Sequence, residues 1–241
     1  MSTDKQIIKF ETSKDITDFL DQPTLKIAEA LTGVLSASLS DLKLSIGKVL
    51  QAGVKGRMLS QFGEELRDYA KKGAIKKDYL ESAINQHSLC DLFAFVDEEN
   101  PDEIRFNAMK SIFLASVAYD ADSREEQLAY QLMRICRQLE SAEIQILKAA
   151  YDVVQGRTVR ELAGAVSLGE GHSATWRSII AQQIGHNIPA LVETYEPKLI
   201  QLVLITDYSR NGEITSSFNP TQTFRLNLLG MKLCQFMTKF K

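Results

Sequence analysis

The sequence predicts a mainly α-helical protein: a multi-helix domain followed by a winged-helix-like module with a small β-hairpin. Three observations predict it. Apolar residues recur at steps of three and four along most of the chain, the period of a helix with one buried face. Only five prolines interrupt 241 residues, which leaves room for long helices. In the last third, Asn211-Gly212 is a strong hairpin signal between two β-prone stretches.

The elements follow in chain order. Residues 1–22 are mostly polar and weakly patterned, so a flexible N-terminal arm is expected. Asp21 can cap a helix, with Pro23 in its first turn. Ala28, Leu31, Leu35, Leu39, Leu42, Ile46 and Val49 then form one stripe. Gly33, Gly47, Gly53 and Gly56 each weaken that helix by up to ~1 kcal/mol relative to Ala. A break near Ser36–Ser40 is therefore expected. The stripe reads either as core-facing or as a surface for a partner helix.

Met58, Leu59, Phe62, Leu66 and Tyr69 make a second stripe. Gly73 is placed to end it, with Lys71 and Lys72 favourable in the last turn. A third helix is expected over about 77–96, divided near Ser88. Asn100 is the expected cap of the next, with Pro101 in its first turn and Glu103 as a capping-box acid. Its face is Ile104, Met109, Ile112, Phe113 and Val117. Asp122 or Ser123 begins a helix with the stripe Leu128, Leu132, Ile135 and Leu139. Ser141 begins another, with Ile144, Leu147 and Val154 inward and Gly156 as its stop.

Shorter helices are expected at Val159–Val166, Ala174–Ile184 and Ile188–Val203, the last kinked or restarted at Pro197. Leu202–Tyr208 and Thr221–Leu226 are the β-prone stretches around the hairpin. Asn227 caps a final helix carrying Leu228, Leu229, Leu233 and Phe236. This order places a helical domain at 23–140 and a winged-helix-like domain at 141–241.

Two stretches carry a resemblance. Leu128–Ala149 reads as a helix, a Leu-Glu-Ser break and a helix. Leu199–Met237 begins with an apolar run, contains the hairpin, and includes Leu226-Asn227-Leu228-Leu229-Gly230. That segment is similar to the Leu-Thr-x-x-Gly that often opens the helix after a wing, with Asn227 in place of Thr as a residue that still caps. Together they resemble uncharacterised bacterial helical proteins with winged-helix-like C-termini, of the abortive-infection (Abi-alpha-like) type. The resemblance implies a bacterial or phage-related origin and a defence or regulatory role. It carries no catalytic residues over to this chain.

Composition narrows the function classes. Lys and Arg number 28 against 31 Asp and Glu, so the chain as a whole lacks the charge of a strongly cationic nucleic-acid binder. Residues 141–241 hold 10 basic and 8 acidic side chains, a balance of +2. Cys90, Cys136 and Cys234 are odd in number and widely spaced, which suits a reducing compartment better than a disulfide framework. Met1–Asp15 has scattered charges and no apolar core, so no signal peptide is expected. No run approaches the ~18 apolar residues of a membrane span. A cytoplasmic location is expected.

The motifs that carry chemistry are weak. His87 and Cys90 share a helix face, but a structural zinc site needs two such pairs. Ser173 follows Gly171-His172 without a nucleophile-elbow signature and suits a helix cap. The acids Asp97, Glu98, Glu99, Asp102 and Glu103 surround an expected helix N-terminus, where the macrodipole favours them. Gly53-Val54-Lys55-Gly56-Arg57 lacks phosphate-loop spacing and reads as a hinge. No catalytic residue, cofactor or metal is expected. The favoured function is a non-enzymatic interaction or regulatory protein, with a protein partner or a second copy of itself. The alternative is a DNA-binding regulator using the winged helix, with Arg157, Arg160, Arg177, Lys198, Arg210 and Arg225 as candidate contacts.

Overall fold

A computed structural model describes residues 53–76, 78–79, 81–99, 101–157, 173–207 and 224–240. The expected arm, the stripe over 28–49, the helix over 159–166 and the Asn211-Gly212 turn lie outside the described residues. Those residues hold eight α-helices and no extended strand. An isolated antiparallel bridge joins Ile205 to Leu226. Among the described residues, no helix is long and apolar enough to cross a membrane. The chain divides into two compact units, 1–100 and 101–241.

The first unit contains α1 (Gly53–Lys71) and α2 (Ala83–Glu99). In α1 the expected stripe is buried at Met58, Leu59, Phe62 and Leu66. Gly53–Arg57, expected as a hinge, lies inside the helix. Gly73 ends it at φ +68: the Gly73 amide reaches Ala70 O at 3.1 Å and the Ala74 amide reaches Tyr69 O at 2.9 Å. This pair of bonds closes the last turn, and glycine adopts the left-handed backbone they need without strain. Helix α2 runs unbroken through Ser88, which is buried. The expected division fails because one serine turned inward does not interrupt the backbone bonds.

The second unit contains α3 (Glu103–Ser116), α4 (Ser123–Arg137), α5 (Ser141–Val154), α6 (Ser173–Gln183), α7 (Pro189–Gln201) and α8 (Leu228–Lys239). Helix α3 is central and packs against α4, α5 and α8. Nine of its fourteen residues are buried, so it is enclosed rather than amphipathic. Helices α6 and α7 pack on each other, and both reach α5.

Asp102, not Asn100, caps α3. Its carboxylate accepts from the Ile104 and Arg105 amides at 3.0 Å and from the Ser141 hydroxyl. Arg105 then donates to Leu139 O and Arg137 O, both at 2.9 Å, placing a cation where α4 leaves its carbonyls open. Asp122 caps α4 as expected, accepting at 2.9 and 2.8 Å from Arg124 and Glu125. The buried face of α4 is rotated from the expected stripe. Ala129, Leu132, Met133 and Cys136 are buried, as is Leu139 just beyond the helix, while Leu128 and Ile135 are half-buried. For α5 the cap is Glu140, whose amide donates to Glu143 at 2.7 Å; Val153 turns inward more than Val154. Gly156 ends α5 at φ +69, as expected.

The Asp102 cap has a pH signature. Burial alone would raise its carboxyl. The Ser141 hydroxyl, the Arg105 and Ile104 amides and the Arg105 charge outweigh that and hold it below the ordinary value. A depressed folded-state value means the stabilisation is complete above the unfolded value near ~3.9 and fades as pH falls through the folded one. Asp102→Ala should cost about 1 kcal/mol at neutral pH. The Tm difference from wild type should shrink below about pH 4. A difference that persists unchanged at pH 2 would count against this assignment.

Candidate functional site

Among the described residues of the second unit, a densely connected polar cluster joins α6, α7 and the bridged segments. Helix α6 supplies Trp176 and Arg177; α7 supplies Glu193 and Glu196; Thr206 and Arg225 flank the Ile205–Leu226 bridge. Arg177 grips Glu196 at both oxygens, Nε to Oε1 at 2.9 Å and Nη2 to Oε2 at 2.8 Å, and its Nη1 meets Glu193 at 2.8 Å. The fork matches the carboxylate plane, a geometry that Lys cannot reproduce. Hydrogen bonding to Glu196 raises the Arg177 guanidinium further above its usual value.

Arg225 approaches Glu196 Oε1 from the other side at 3.1 Å. Its Nε and Nη2 both donate to Thr206 O, at 3.1 and 2.8 Å. Thr206 answers with its amide and hydroxyl on Arg225 O, at 2.8 and 3.1 Å. The Arg225 guanidinium lies 4.5 Å from the Trp176 ring centre, and the indole N–H donates to Phe224 O at 3.0 Å. Arg225 is only 2 % exposed. Burying a charge is tolerable only when it is paired and hydrogen-bonded, and every part of this guanidinium is.

The six cations expected to meet DNA are therefore placed as follows. Arg225 is enclosed, where a returning strand was expected to present it. Arg177 is committed to Glu193 and Glu196. Lys198 reaches Glu143 at 3.0 Å. Arg157 is half-exposed, pairs with Asp152 at 2.8 Å and lies over the Tyr151 ring. Arg160 and Arg210 lie outside the described residues. The structure brings Arg177 and Arg225 together through Glu196 and does not gather the described four into one surface. Sequence reasoning missed Glu196, Trp176 and Thr206 as the centre of a cluster. Trp176-Arg177 and the Glu193/Glu196 pair are visible in the chain, but no local spacing says that they meet.

The weaker motifs resolve simply. His87 Nδ1 contacts Ala83 O at 2.6 Å within its own helix, and burial raises the Cys90 thiol. Among the described residues no group of three or more His, Cys, Asp or Glu is arranged to hold a metal. Ser173 is the first residue of α6. The acidic run is split: Asp97, Glu98 and Glu99 finish α2, while Asp102 and Glu103 begin α3. The expectation that all of them crowd one N-terminus is corrected accordingly. Burial pushes Cys136 up to about 12 and Cys234 higher still, so neither buried thiol is a ready nucleophile at neutral pH. Compared with known proteins, the chain matches no family model, no curated protein and no solved structure.

Proposed function

We propose that this is a non-enzymatic interaction protein, and that its second unit meets a protein partner through the outer face of α7. The winged-helix reading of residues 141–241 rests on the sequence, in which α7 is the described helix ahead of the Asn211-Gly212 signal. In that arrangement α7 is the helix that would enter a major groove. One observation carries the protein-binding reading. The exposed positions of α7 include Leu191, Glu193, Thr194, Pro197 and Gln201, without a cation among them. Its one basic residue, Lys198, is turned to Glu143. DNA affinity depends on cations that displace phosphate counterions, and this face offers an acid instead. Exposed apolar residues at Ile188 and Leu191 suit a protein surface better. A place in phage defence rests on the sequence resemblance alone.

The test is an affinity pull-down from the native host with and without nuclease treatment, repeated with Leu191→Asp. The same protein should co-purify in both wild-type samples and fall about tenfold or more with the variant. Capture lost on nuclease treatment, together with duplex-DNA binding that weakens steeply with salt, would establish the DNA-binding alternative instead.

A further inference from the structure

We propose that α7 opens from its unit on its own, ahead of the bundle of α3, α4, α5 and α8, and that the Glu196 clasp sets how often it does. This goes beyond the interaction reading and stands without it, because the opening is a property of the protein alone.

Apart from Pro189, which suits the first turn, local sequence does little to hold α7. Its N-cap, Ile188, has no side-chain acceptor for the first-turn amides. Pro197 sits inside the helix, where it donates no backbone bond and its ring crowds the carbonyl four residues earlier. Thr194 turns its hydroxyl back onto Ala190 O at 3.1 Å, a contact that tends to bend helices. At the far end Val203 takes φ +56, while its amide reaches Ile200 O and that of Leu204 reaches Leu199 O, both at 2.9 Å. Gly73, Gly156 and Gly185 hold the equivalent positive-φ position after α1, α5 and α6. A β-branched residue there is strained.

Burial is thin as well. Only Val192, Glu196 and Leu199 are buried along thirteen residues, and one of the three is charged. The ion pairs of α7 add Glu193 and Glu196 to Arg177, Glu196 to Arg225, and Lys198 to Glu143. Backbone strain collects at the same place. Among the described residues the non-glycine positive-φ positions are Asn187, Val203, Phe224 and Arg225, and all flank α7 or its clasp. Such conformations persist only while surrounding contacts over-determine them. An element with few buried apolar contacts exchanges by local opening, below the free energy of global unfolding.

Hydrogen–deuterium exchange of the full chain tests this. Amides of α7 should exchange about tenfold or more faster than those of α3 and α8. Ile112→Val, a mild cavity in α3, should speed α3 exchange about fivefold and leave α7 unchanged, because opening α7 does not disturb α3. Glu196→Gln should speed α7 exchange about tenfold. If that variant does not fold, Arg177→Lys, which keeps the charge and loses the bidentate fork, provides the second arm and should speed α7 severalfold. Equal rates for α7 and α3 in the wild type, or equal acceleration of both by Ile112→Val, would overturn independent opening. Glu196→Gln or Arg177→Lys leaving α7 rates unchanged would overturn the role of the clasp.

Discussion

Gly230→Ala is expected to destabilise the second unit by about 3 kcal/mol, although alanine is the better helix former by ~1 kcal/mol. A Cβ at position 230 would lie 2.1 Å from the carbonyl oxygen of Leu204, 3.1 Å from its carbon and 3.2 Å from Leu226 Cδ2. The first of these is a backbone atom and cannot swing aside. Relief requires α8 to back away from Leu204, and three attachments resist. The Asn227 amide donates to Leu204 O at 3.2 Å, Asn227 Nδ2 donates to Val203 O, and Ile205 is bridged to Leu226. The Asn227 side chain also caps α8 through the Gly230 amide at 2.9 Å, so the cap and the close approach are lost together. At ~2–4 °C per kcal/mol for a protein of this size, Tm should fall by roughly 6–12 °C. A variant as stable as wild type, read by thermal denaturation, would mean that α8 does not approach Leu204 this closely.

Arg225→Leu is expected to cost about 3 kcal/mol as well, for a different reason. The substitution leaves Glu196 buried with Arg177 as its remaining cation and leaves Thr206 O without its two guanidinium donors. Removing one partner of a buried ion pair is far more damaging than the net value of the pair suggests, because the uncompensated charge stays behind. The chain has one tryptophan, and it lies under Arg225. Its fluorescence should therefore change in the folded variant, before any unfolding transition. Arg157→Ala is the control: its pair with Asp152 is half-exposed and should contribute less than about 1 kcal/mol. Equal Tm losses in the two variants would show that burial of Arg225 is not what gives the clasp its value.

Helix ends were the most legible part of the fold. Asp122, Asn227, Gly73 and Gly156 act on backbone groups a few residues away, so their roles can be read in the chain. Where a start was misplaced, as at Asn100, a second acceptor in the same turn was available. Which face of a helix turns inward was less legible. The α4 stripe was expected through Leu128 and Ile135, yet the core takes Ala129, Met133 and Cys136. Small and polarizable residues are chosen by the neighbour they must fit, not by hydrophobicity alone.

The cluster around Glu196 was invisible for a stronger reason. Its members come from α6, α7 and either side of a bridge, and each of its charged residues looks like an ordinary surface charge in its own segment. A hydrophobic period identifies a helix, because every residue of the pattern lies on one rod. An ion cluster has no period, since its partners meet only after the rods have packed. The sequence alone determined that this chain is mainly helical and where several of its helices begin and end. The tertiary structure alone decided that Arg177, Lys198 and Arg225 are paired with carboxylates of the fold, Arg225 in its interior, and that Gly230 has no room for a side chain. Local bonds and caps are written within one turn of chain, whereas burial and pairing depend on distances that only packing defines.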